Sequence, residues 1–215
     1  MFAFLRGSFP PRTNNAANNP IIYENGKSSV KFHAPESQFI MTHTIPPSGG
    51  ENGVSIITPP FHYHIYQDEY FGLQKGTAVL FKGIDPKPFA TLTEDGQRKA
   101  TVPAGNYHRF ENGSETEDLV IDIHLTPESY ENEQKFFRNF FGYLDDCKST
   151  KASPSFFQLM VFLHSADTPL ALPLPNEWLG RVVSRAFLIV VAAWGRWILG
   201  YKQTYPEYYE EGKSK

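Results

Sequence analysis

The spacing of four side chains constrains this chain more than any other feature. His62 and His64 lie two apart, Glu69 follows five residues on, and His108 comes after the turn Pro103-Ala104-Gly105. Alternate residues of a β-strand share a face, so His62 and His64 are expected to point the same way. Glu69 is far enough along to reach an adjoining position after a bend. The Pro-Ala-Gly turn can lay a new strand, beginning near His108, alongside the first. Imidazoles combined with a carboxylate suit iron, manganese, nickel, copper or zinc. Cys147 is the only cysteine, which excludes a thiolate-rich structural zinc site. Ligand type alone does not choose the metal.

From His62 to Gly76 the chain reads His-x-His, four residues, Glu, six residues, Gly; from Pro103 to Asn112 it reads Pro-x-Gly, two residues, His, three residues, Asn. These two stretches resemble the two conserved motifs of the cupins. The resemblance implies a mainly β fold, a single cupin (double-stranded β-helix or jelly-roll) barrel, holding one divalent metal ion inside through His62, His64, Glu69 and His108. It covers roughly residues 50 to 126. Two departures lie in turns: Gly53 stands further from His62 than the family pattern has it, and Gly96 precedes Pro103 by one extra residue. Neither touches a ligand position. By the same resemblance the barrel is expected to pair as a homodimer.

With 215 residues the chain has room for one barrel and additions, not two full domains. Eighteen Phe and eleven Tyr are many for this length and point to thick packing or an aromatic-lined pocket. A net charge of −3 gives no general attraction to nucleic acid. A lone cysteine fits a reducing compartment such as the cytoplasm. Met1 to Leu5 ahead of Arg6 is too short an apolar run for a secretory leader. No phosphate-cradling glycine loop, Gly-x-Ser-x-Gly elbow or dinucleotide fingerprint is present, which disfavours nucleotide-dependent and serine-hydrolase chemistry.

Three regions are expected: an extended arm over 1–20, the barrel over 21–126 and a helical extension over 127–215. The arm is rich in Pro and Asn. Asn25-Gly26 signals a hairpin, Pro46 to Gly50 a loop, Asp85-Pro86 and Asp95-Gly96 further turns. Thr77 to Lys82, Phe89 to Thr93 and Val120 to Leu125 read as strands. In the last, Ile121, Ile123 and Leu125 share one face while Asp122 and His124 share the other. That polar face takes the solvent by default; in a barrel with a polar cavity, Asp122 and His124 instead become substrate-pocket residues. Tyr66 shares parity with His62 and His64, so it either points inward and orients a substrate oxygen or fills the barrel rim. His33, His43 and His164 read as surface or hydrogen-bonded residues.

Thr126-Pro127-Glu128 and Ser153-Pro154 read as helix starts. Phe136, Phe137, Phe140, Phe141 and Leu144 recur at helical spacing as a core stripe. Pro169, Pro173 and Pro175 read as a stiff connector, and Asn176 as the cap of a third helix over roughly Glu177 to Leu199. That helix sets Arg181, Arg185 and Arg196 within about 60° of one another. It is expected to dock on the barrel or a partner, or else to lie in a membrane surface as a peripheral anchor. The tail with Tyr205, Tyr208 and Tyr209 is expected to return across the surface.

Cupins span dioxygenases, isomerases, cyclases, binding proteins and storage proteins. In overall texture this chain resembles the stand-alone fungal cupins, some of them tied to natural-product pathways. The resulting expectation is a metal-dependent oxygenase acting on a hydrophobic, oxygenated small molecule of phenolic or polyketide type. Glu69 would be a ligand or, once detached, a catalytic base. A non-redox isomerase, lyase or cyclase using the same pocket is the alternative, and a non-catalytic binding or storage protein a third.

Overall fold

The computed structural model describes residues 9–48, 53–83 and 87–212, and among these described residues it has nine strands, three α-helices and one short 3-10 turn over Glu24–Gly26. The expected turn at Asp85-Pro86, the Gly49-Gly50 end of the expected loop and the Met1 to Leu5 segment lie outside the described residues. Strands β1 (Ile21–Tyr23) and β2 (Ser28–Phe32) form the first hairpin. Asn25 and Gly26 take positive φ at its tip, the conformation that the Asn-Gly pair tolerates best. β3 (Met41–Ile45), β4 (Asp68–Lys75), β5 (Thr77–Lys82), β6 (Pro88–Thr93), β7 (Lys99–Val102), β8 (His108–Asn112) and β9 (Leu119–Thr126) follow.

All pairings are antiparallel. One sheet runs β1-β2-β3-β9-β4-β7 and the other β6-β5-β8. Side chains from both sheets, among them Phe71, Leu80, Leu92, Phe110 and Ile121, share one core. This is a mainly β jelly roll with a helical C-terminal extension.

Between β4 and β5 the chain turns at Gly76, whose φ is +84°. A Cβ at that position would stand 2.6 Å from the carbonyl oxygen of Asp118, so both conformation and space demand glycine.

Helix α1 (Tyr130–Ser149) starts later than its sequence signal, because β9 stays paired with β4 through Thr126 and Asp68. The Ser129 N–H then donates to Glu133 Oε1 at 2.9 Å and opens the helix. Helix α2 (Phe156–Ser165) likewise starts two residues beyond Pro154. Asn176 caps α3 (Glu177–Trp197) as expected, its Oδ1 accepting from the Leu179 N–H at 3.1 Å.

Among the described residues α3 is the one helix long and apolar enough to cross a membrane by length and composition. Its small residues Gly180, Ser184, Ala192 and Gly195 face the protein. At Gly195 a Cβ would come within 2.9 Å of Val161 on α2, so the two helices lie close. Arg181 ties α3 to the barrel: its Nη1 donates to the Gly105 carbonyl at 3.0 Å, and its own carbonyl accepts from the Tyr63 hydroxyl at 2.9 Å. Docking on the barrel is therefore real, but partial. Val182, Val183, Phe187, Val190, Trp194 and Trp197 remain exposed.

The tail does not merely cross the surface. Tyr205 and Tyr208 are buried, and their hydroxyls donate to Gln158 Oε1 at 2.6 Å and Asp146 Oδ2 at 2.5 Å. The N-terminal arm is tied to the same region. Thr13 donates to the Asp146 carboxylate from its N–H (2.9 Å) and its hydroxyl (2.6 Å), and the fully buried Arg138 donates to the carbonyls of Ala16 and Asn18.

Candidate metal centre and cavity

His62, His64, Glu69 and His108 converge in the barrel, all buried, with one ligand atom from each lying within 4.8 Å of the others. They arrive by different routes. Glu69 is first in the inward row Glu69, Phe71, Leu73 of β4, and His108 is first in the row His108, Phe110, Asn112 of β8. His62 and His64 are not on a regular strand. Their segment makes only isolated bridges, from His62 to His108 on one side and to Leu170 on the other. Backbone bonds extend the second contact: Tyr63 and Ile65 N–H donate to the carbonyls of Pro169 and Asp167, and Ala171 N–H to that of Phe61. The stretch expected to be a connector thus acts as a short edge that holds the His-x-His segment in place.

Each imidazole is oriented through Nδ1. His62 Nδ1–H donates to the Pro60 carbonyl and His108 Nδ1–H to the Asn106 carbonyl, both at 2.8 Å. His64 Nδ1 lies 3.2 Å from Thr168 Oγ1. The Thr168 hydroxyl donates to the Ala166 carbonyl at 2.9 Å, which leaves its oxygen to accept from the His64 Nδ1–H. In all three rings the Nε2 lone pair is then turned inward, the tautomer a metal requires.

The donor set fits a cation. His64 Nε2 is buried without a hydrogen-bond partner. His108 Nε2 approaches Glu69 Oε2 to 2.6 Å and His64 Nε2 approaches it to 3.6 Å. With Nδ1 of His108 already donating, Nε2 and the carboxylate oxygen are two acceptors in contact, and only a proton or a metal ion between them satisfies both. Burial alone would raise the Glu69 carboxyl, but the close approach of the His108 and His64 imidazoles outweighs it and holds Glu69 well below the usual carboxylate range. Burial, reinforced by the neighbouring His108 and His64, holds His62 well below its ordinary value, hence neutral and able to ligate.

Above the cluster lies an inner chamber of about 50 Å³, walled by His43, Ile123 and Phe110 and roofed by Phe136, Phe137 and Phe140 of α1. His64, Phe136, Phe137 and Thr168 are shared with an outer cavity of about 240 Å³, where Tyr66, Gln67 and Glu133 supply polar edges. One Glu133 oxygen is buried without a partner, and burial pushes its carboxyl up.

Three expectations require correction. Asp122 and His124 do not face the cavity. Their registry partners on the same face are Gly72 and Tyr70, and Asp122 accepts from Thr42 and Gln74 on the outside of the sheet, while Ile123 faces in. Alternation puts the apolar row on the pocket side. Tyr66 does not share the inward face of His62 and His64, because the chain bends after His64 and breaks the assumed parity; exposed, with its hydroxyl accepting from Arg185 at 2.9 Å, it lines the edge of the outer cavity instead. His43 is neither on the surface nor hydrogen-bonded: it is buried in the chamber wall with both ring nitrogens unpartnered. Burial pushes its imidazole down to about 4. The alternation Met41, His43, Ile45 carried that signal. The phenylalanine stripe is core, as expected, but it is also the roof of the site.

A jelly roll that gathers three imidazoles and one carboxylate from these two motifs is a cupin. Within that class the chain belongs to the family of fungal proteins that includes the probable oxidoreductase virH of Hypocrea virens. The two are 36% identical over 178 residues, 81% of this chain and 77% of virH. Oxidoreductase iacF of Pestalotiopsis fici is 38% identical over 123 residues, 55% of this chain and 58% of that protein. Epoxidase atD of Aspergillus terreus is 26% identical over 155 residues, and this chain spans 46% of its length. No family model matches the chain. Solved structures similar in fold include the Cnp3 cupin domain of Schizosaccharomyces pombe (17% identity, TM-score 0.34, covering 54% of this chain and 70% of that one). A cupin-superfamily sugar phosphate isomerase of Silicibacter pomeroyi is similar at 24% identity and a TM-score of 0.33, over 54% of this chain and 66% of that one. These likenesses are shallow and concern the fold alone.

Proposed function

We propose that this chain is a metal-dependent oxygenase acting on a hydrophobic, oxygenated small molecule of phenolic or polyketide type. The observation that carries the reading is the opening of the His62–His64–Glu69–His108 cluster into a chamber roofed by phenylalanines. Similarity to proteins named oxidoreductases, and to one named an epoxidase, supports oxidation over isomerisation, elimination or cyclisation.

One divalent metal ion, when bound, supplies either redox chemistry or Lewis acidity. Everything else falls to the chain. The Nδ1 hydrogen bonds fix the three imidazoles, the Glu69 carboxylate balances the charge of the ion, and Phe136, Phe137 and Phe140 exclude water. If Glu69 acts as a base, a proton leaving substrate passes to its carboxylate, and Glu69→Gln abolishes turnover while most of the metal stays bound.

The test is turnover of phenolic and polyketide substrates by metal-loaded protein with dissolved oxygen recorded. Oxygen uptake matching product supports the oxygenase. Turnover without oxygen, in protein carrying a redox-inert metal, assigns the pocket to an isomerase, lyase or cyclase instead.

The exposed face of α3 supports peripheral contact with a membrane surface as part of the same reading. Phe187, Val190 and Trp194 are apolar and exposed along one side of the helix, and Trp197 is exposed at its end.

A further inference from the structure

The inner chamber contains one polar side chain that neither the metal cluster nor the fold uses. His43 lies in the middle of β3, opposite Val30 of β2 and Ile121 of β9, both core residues, so it faces the barrel interior. It is 2% exposed, and neither ring nitrogen has a hydrogen-bond partner. It stands outside the four-residue ligand cluster. The rings of Phe137 and Phe141 meet it edge-on at 6.1 and 5.7 Å, and Phe110 lies at 6.4 Å.

An imidazole with its donor and its acceptor both unmet is unfavourable in a protein interior. A phenylalanine would suit this aromatic surrounding without that penalty. The chamber His43 lines is the one that His62, His64 and Glu69 also line, so a group occupying it can reach His43 and the ligand cluster together.

We propose that His43 is a substrate-binding residue whose imidazole hydrogen-bonds a hydroxyl or carbonyl oxygen at the reacting end of an otherwise apolar aromatic molecule. The proposal deepens the oxygenase reading and rests on it in placing that end beside the metal ligands. The chemistry of the walls sets the class. Ile123, Phe110, Phe136, Phe137, Phe140 and Leu163 offer no hydrogen bonds, so a polyol would be stripped of water without compensation. A molecule with a single oxygen at that end would not. The remainder of the substrate extends past His64 and Phe137 into the outer cavity.

Phenol and toluene have nearly the same shape and differ in the hydroxyl, so their affinity ratio reads the hydrogen bond. Each is titrated calorimetrically into the metal-free full chain, where no metal–phenolate bond can create a preference. The native protein is expected to bind phenol roughly tenfold more tightly than toluene, about 1.4 kcal/mol. His43→Phe and His43→Leu are expected to lose that preference while melting at or above the native temperature. An undiminished preference in either folded variant overturns the proposal, as does a native protein that binds both probes equally or neither. Metal content is measured on parallel native samples offered iron, manganese, nickel, copper and zinc. Failure to take up any metal sinks the oxygenase reading alone, because the phenol preference is read without metal.

Discussion

Thr168 Oγ1 lies 3.2 Å from His64 Nδ1, so a residue of the helical extension orients one imidazole of the buried His62–His64–Glu69–His108 cluster. Because that hydroxyl spends its proton on the Ala166 carbonyl, it can only accept from the ring, and it fixes His64 with Nε2 turned inward. Thr168→Val keeps the shape and removes the acceptor. Metal affinity is expected to fall about ten- to hundredfold, with the fold intact, as measured by competition against a calibrated chelator.

Metal should stabilise the native state, since the convergent donors exist only after folding. At a free metal concentration a hundred times Kd the gain is about 2.7 kcal/mol, or about 5 to 10 °C in melting temperature for a chain of this size. A His62→Ala/His108→Ala variant should show no such rise and should contain no metal by elemental analysis. An equal rise in both proteins would mean the ion binds elsewhere.

The metal-free protein should lose stability on mild acidification. Burial holds His43 at about 4 when folded, whereas the unfolded chain takes up that proton as pH falls through about 6.5. Between those values the unfolded state binds more protons, so stability falls as pH falls. At pH 5 this group alone costs about 2 kcal/mol relative to pH 7. The lowered His62 acts with the same sign. Urea unfolding at the two pH values should show a smaller difference for His43→Phe than for the native chain.

Gly76→Ala should destabilise by on the order of 2–3 kcal/mol, since the residue sits at φ +84° and the new methyl would press on the backbone of Asp118. Chemical unfolding checks it. A change of only a few tenths would mean the turn between β4 and β5 relaxes freely.

Truncation is a poor probe of α3, because the buried Tyr205 and Tyr208 lie beyond it. A Val190→Glu/Trp194→Glu variant keeps the buried face. The native chain should sediment with anionic liposomes and this variant should stay in solution. A native chain that ignores liposomes but forms a dimer lost in the variant would give the face to a second copy.

Much of the barrel was legible in the amino-acid order because its signals are local. Asn25-Gly26 marks a hairpin, the inward row of β9 shows in its alternation, and Asn176 caps α3. The convergence of His62, His64, Glu69 and His108 was legible because motif spacing survives even where the assumed strand does not: His62 and His64 reach the cluster from a bent segment. What went unread was the other side of the cavity. His43 looked like one isolated histidine, the phenylalanines of α1 like ordinary core, and Thr168 like part of a proline-rich link.

By itself the sequence determined the β class, the four side chains that cluster and the three helices, because strand alternation, turn residues, caps and motif spacing act over a few neighbours. Only the tertiary structure decided which face of β9 meets the cavity, that α1 roofs it, and that Asp167 to Ala171 brace the His-x-His segment. Those contacts join residues about a hundred positions apart, Thr168 to His64 among them. Packing of the extension against the barrel chooses such partners, and no local pattern carries that information.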